Sequence, residues 1–113
     1  MSILGVLKIV AALATVATGL LALVKPAATY DFIGLRADGV RGVSEIRSIF
    51  GGLFIGLGLA ALLLGASAYR MLGIGYLAIA LARSFSIVFD RSYAQSNLIS
   101  LVIEIVFGLI LVI

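Results

Sequence analysis

Ile49-Phe50-Gly51-Gly52-Leu53-Phe54-Ile55-Gly56-Leu57-Gly58-Leu59-Ala60-Ala61-Leu62-Leu63-Leu64-Gly65-Ala66 decides the fold. No charge interrupts this run. A bilayer core about 30 Å thick is crossed by about 20 mostly apolar helical residues. A strand of a membrane barrel would instead alternate apolar and polar residues over about ten positions. Leu53 to Leu64 does not alternate, so the stretch reads as a spanning helix over residues 45–67. Ser44 is its expected N-cap, and Glu45 lies in the first turn, where the helix dipole favours an anion.

Three more spans follow by the same rule. Ile3 to Val24 is apolar except for Lys8, and Pro26 stops it because proline cannot continue a helix. A signal peptide would carry basic residues ahead of its apolar run. None precedes this one, so it reads as an uncleaved span. Residues 68–89 form the third span, interrupted by Arg83, and residues 96–113 the fourth, interrupted by Glu104. The connections after the second and third spans are short, which implies antiparallel neighbours. Only Lys25 to Val43 is long and polar. Its apolar side, Tyr30, Phe32, Ile33 and Leu35, suits a segment lying in the membrane interface, with a turn at Ala37-Asp38-Gly39. The expected architecture is all-α: one domain over residues 1–113, an integral membrane bundle of four transmembrane helices with one longer interfacial loop between helices one and two.

Composition agrees. Of 113 residues, 64% are hydrophobic and 12% charged, against roughly half and a quarter in soluble chains. A soluble domain this small would need a polar coat, because its surface is large for its volume. The bilayer is therefore the expected surroundings, and the net charge of +3 informs orientation more than nucleic-acid binding. Lys25, Arg36, Arg41 and Arg91 fall on one side; Arg70 and Lys8 fall on the other. Basic residues favour the cytoplasmic side, so both termini are expected on the opposite one.

The absences restrict chemistry. The chain has no Cys and no His. That removes thiolate nucleophiles, iron–sulfur and zinc-thiolate sites, and the commonest metal ligand and general base. No Ser–His–Asp set or phosphate-cradling glycine loop is present. No enzyme activity, metal or cofactor is expected.

Helices in lipid pack through small residues that let backbones approach. Each span offers a stripe at helical spacing. These are Lys8, Ala11, Thr15 and Gly19; Glu45, Ser48, Gly52 and Gly56; Gly75, Ala78, Ala82 and Ser86; and Asn97, Ser100, Glu104 and Gly108. Packing within the bundle is one reading, with Gly52, Gly56 and Gly108 as contact points. A dimer surface is the other, because Gly51 and Gly58 lie off the Gly52 stripe.

Ionisable groups inside a span are costly and mark functional candidates. Glu104 lies roughly 13 Å into the fourth helix and Arg83 roughly 9 Å from the same-side end of the third, at 1.5 Å per residue. A pair is expected, with Glu45 and Arg47 near the same end and Ser84, Ser86 and Asn97 available to bond it. Such a cluster can simply pin the register of the helices. It can also form a polar pocket for a lipid head group, a quinone or another small ligand. A proton relay is the weaker version of that reading.

The segment Gly42-Val43-Ser44-Glu45-Ile46-Arg47-Ser48-Ile49-Phe50-Gly51-Gly52-Leu53 resembles the opening of the second helix in a family of small bacterial four-helix membrane proteins, known as domain of unknown function 4345. Ala82-Arg83-Ser84-Phe85-Ser86-Ile87-Val88-Phe89-Asp90 is similar to its third helix and acidic turn, and Glu104 with Gly108 to its last helix. The resemblance runs from about Gly34 to the end. It implies four spans, a bacterial inner membrane, and functional weight on Glu45, Arg47, Arg83 and Glu104. It implies no activity. A tiny bundle without catalytic groups is expected to serve as an accessory subunit of a larger membrane complex, such as an energy-converting one. A lipid or quinone binder is the alternative, and a homo-oligomeric channel ranks last.

Overall fold

A computed structural model describes residues 2–113. Helix α1 spans Ile3–Val24. Ser2 caps it by accepting a hydrogen bond from the Gly5 amide at 3.0 Å. Past Lys25, a single 3₁₀ turn over Pro26–Thr29 and a one-turn helix α2, Tyr30–Ile33, form the expected loop. Arg36 closes it on Asp31 at 2.7 Å.

The second span starts earlier than expected. It runs unbroken from Gly39 to Leu64 as α3 (Gly39–Glu45), a π-helical stretch (Ile46–Leu53) and α4 (Phe54–Leu64). Ser44 is therefore inside the helix and caps nothing. The Ala37-Asp38-Gly39 turn is the true start, with Gly39 at φ 76°. Gly65, at φ 85°, ends the span and hands directly to α5, Ala66–Phe89. An L-residue rarely adopts that φ, so glycine is what lets two spans reverse direction through one residue. After the Asp90–Ala94 turn, α6 spans Gln95–Val112. Four helices are thus long and apolar enough to cross a membrane, and together they form an all-helical bundle.

The bundle is built from two tight pairs: α1 along the second span, and α5 along α6. Its backbone measures 44 × 31 × 17 Å, a slab rather than a cylinder. Ala11, Ala12, Ala61, Leu72 and Leu111 meet in the buried centre. Small residues carry the close approaches. A methyl group placed on Gly19 would stand 2.8 Å from the Gly51 carbonyl oxygen, and one on Gly73 would stand 3.0 Å from that of Gly108.

The stripes of α1 and α6 face inward, and Gly108 packs against Leu77 as expected. The other two need correction. Glu45, Ser48, Gly52 and Gly56 are all exposed, and nothing lies within 4 Å of a methyl group built on Gly56. The second span instead buries Ile46, Gly51, Gly58 and Ala61. Glycines occur on two of its faces, and the Gly51–Gly58 face is the one complementary to Val16 and Leu23 of α1. The five-residue step from Ile46 to Gly51 is one turn of the π-helical stretch, which turns Ile46 inward and Ser48 outward. In α5, Gly75, Ala78 and Ala82 are exposed, while Leu72, Gly73 and Ala80 are buried.

Candidate functional site

Arg83 sits on α5 and Glu104 on α6, near the end of the bundle that carries the long loop. Arg83 donates from Nε to Oε1 and from Nη2 to Oε2 of Glu104, both at 2.7 Å. This two-pronged geometry is the strongest form of Arg–carboxylate contact. Nη1 donates to Asn97 Oδ1 at 2.7 Å. Asn97 in turn donates from Nδ2 to the carbonyl and hydroxyl oxygens of Ser92, each at 3.0 Å. The network therefore ties α5, α6 and the turn joining them. Glu104 is nearly buried, with 10% of its side chain exposed, against 30% for Arg83. Among the described residues no buried side-chain N or O lacks a partner.

The remaining sequence candidates make different contacts. Glu45 accepts from Arg41 in an exposed pair four residues apart. Arg47 donates to the Leu23 carbonyl oxygen at 2.8 Å. That carbonyl belongs to the last turn of α1, whose carbonyls have no further helical amide to pair with. Neither residue bonds to Arg83 or Glu104. Ser84 bonds back to the Ala80 carbonyl at 2.8 Å and Ser86 donates to Asp90 at 2.7 Å, so of the three proposed helpers only Asn97 reaches Arg83.

Sequence reading missed two polar features. Ser92 closes the network from the turn. Tyr76, on α5, reaches across the bundle to Thr15. Thr15 gives its one hydrogen to the Ala11 carbonyl at 2.8 Å, so the Tyr76 hydroxyl must be the donor. A tyrosine in mid-span far from the interfacial belt was the available signal. Its ring packs edge-to-face on Phe107 at 5.6 Å.

A shallow groove of about 380 Å³ opens beside the ion pair, lined by Arg83, Ser86, Ser92 and Asn97 with Ile79 and Ala82. A smaller apolar groove of about 50 Å³ lies over Thr15 and Tyr76. Among the described residues no group of acidic side chains is placed to hold a metal ion.

A family model, Domain of unknown function (DUF4345), matches residues 3–113. The chain belongs to that family. The match includes α1, which the sequence resemblance from Gly34 onward left out. DUF4345 carries no activity to transfer to Arg83 or Glu104. Comparison with curated proteins and with solved structures finds no match.

Proposed function

We propose that the protein is a non-catalytic accessory subunit of a larger assembly in the bacterial inner membrane, with both termini on the non-cytoplasmic side. One observation carries this reading. The second span satisfies its contacts inside the bundle with Gly51, Gly58 and Ala61, yet leaves Ser48, Gly52 and Gly56 uncovered. Small uncovered residues permit close approach by another spanning helix. The hydrogen bonds that tie Arg83, Glu104, Asn97 and Ser92 together add support, since they join two helices and their turn into a framework. Gentle detergent extraction followed by native mass measurement tests it. The protein should leave the membrane with partners, and Gly56→Leu should release it as a folded single chain. Wild-type protein recovered only as a stable monomer would overturn the reading.

A second reading, a binder of a small membrane ligand, is favoured by the polar groove beside Arg83. It expects a lipid or quinone in the organic extract of protein purified from native membrane.

A further inference from the structure

Resting on that second reading, we propose that the groove beside Arg83 takes an uncharged amphiphile through a carbonyl oxygen, and discriminates against anionic head groups. The argument begins with donors. A guanidinium has five N–H hydrogens. Glu104 takes two and Asn97 one, which leaves one on Nη1 and one on Nη2. Arg83 is also the more accessible member of the pair. Ser92 accepts from Asn97 and keeps its own hydroxyl hydrogen for a further partner. The polar wall thus offers up to three donors. Its best acceptor, the Glu104 carboxylate, is already engaged.

Charge decides the ligand class. Arg83, the one charged residue lining the groove, is cancelled by Glu104, and Asp90, held by Ser86 of the groove wall, adds a second carboxylate. An anion would meet two carboxylates with no surplus cation. A carbonyl oxygen accepts two or three hydrogen bonds at no electrostatic cost. Depth agrees. Arg83 lies six positions before Phe89, or about 9 Å inside the end of α5. Ile79 and Ala82 give the groove an apolar wall for a ring or an acyl chain. The carbonyl can come from a quinone ring or from a lipid ester.

Purified full-length protein in lipid nanodiscs is titrated with decylubiquinone, with dioleoylglycerol, and with dodecyl phosphate, an anion without a carbonyl. One or both neutral probes should bind, and which one does identifies the source. Ser92→Ala should weaken that binding about three- to ten-fold, the usual scale for one hydrogen bond. The Ser92 carbonyl remains for Asn97, so the turn keeps its shape. Arg83→Lys keeps the charge, but its three N–H donors are all claimed by Glu104 and Asn97, so it should weaken binding as well. Circular dichroism verifies that both variants fold. Tighter binding of dodecyl phosphate than of either neutral probe would overturn the inference while leaving a ligand site standing. Affinity unchanged in folded Ser92→Ala and Arg83→Lys would also overturn it. Binding of none of the three would overturn both the inference and the reading beneath it.

Discussion

Gly58 and Gly56 are two residues apart, and replacing each by Ala should change stability in opposite directions. A methyl group on Gly58 would stand 2.5 Å from Cγ2 of Val16, 2.9 Å from the Ala12 carbonyl oxygen and 3.2 Å from the Val16 amide nitrogen. The Val16 side chain can turn away. The other two atoms are backbone, so α1 and the second span must move apart. Overpacking of this kind costs about 1–3 kcal/mol. Alanine recovers up to about 1 kcal/mol through its better helix propensity. The net expectation for Gly58→Ala is a loss of up to about 2 kcal/mol. Gly56→Ala meets nothing within 4 Å and should be neutral or gain up to about 1 kcal/mol. Reversible unfolding in mixed micelles, followed by circular dichroism against the fraction of denaturing detergent, measures both. If Gly56→Ala costs as much as Gly58→Ala, the second span presents its Gly52–Gly56 face to α1, and the packing described above is wrong.

Further substitutions probe the other helix pair. Arg83→Ala leaves Glu104 nearly buried without its partner and should cost about 3–5 kcal/mol, whereas the double replacement Arg83→Met with Glu104→Met should recover most of that; the same unfolding curves check both. Arg91 is the one non-glycine among the described residues with a left-handed backbone, at φ 54°. Arg91→Gly should therefore raise the unfolding midpoint by the equivalent of about 1 kcal/mol, and no change would show that the turn between α5 and α6 carries no strain.

Four spans were legible because apolar length is a one-dimensional signal, and Arg83 with Glu104 because matching depth can be counted along two helices. Which face of each helix turns inward was less legible. For α1 and α6 the most polar stripe is also the buried one, so Thr15 and Glu104 pointed the right way. In the second span the polar stripe beginning at Glu45 and Ser48 faces outward instead. Apolar residues cover the whole circumference there, and amphipathic contrast cannot choose between two glycine-bearing faces. The choice is made by shape, through Val16 and Leu23 of α1, which are far away in sequence. The π-helical stretch compounds this, because a period of 3.6 assumed from Glu45 onward drifts out of register by Gly51. Glu45 and Arg47 bond within the second span and to α1 instead of to Arg83 or Glu104, and counting along the chain could not foresee those partners.

The two Arg contacts have a common logic. Interfaces made of Ala and Gly are smooth, and in lipid no hydrophobic force opposes sliding of one helix along another. Each tight pair here has one guanidinium that removes that freedom. Arg83 grips Glu104 between α5 and α6 with two parallel hydrogen bonds. Arg47 grips the last turn of α1 from the second span, where the dipole leaves partial negative charge. A shift of one helical rise, about 1.5 Å, would break either contact. Mutual pinning explains why charges whose placement in a span is costly are kept. It also separates the two residues by role. Arg47 bonds a backbone carbonyl and does no more than hold α1. Arg83 exceeds what pinning requires, since Glu104 and Asn97 leave it two N–H groups beside an open groove.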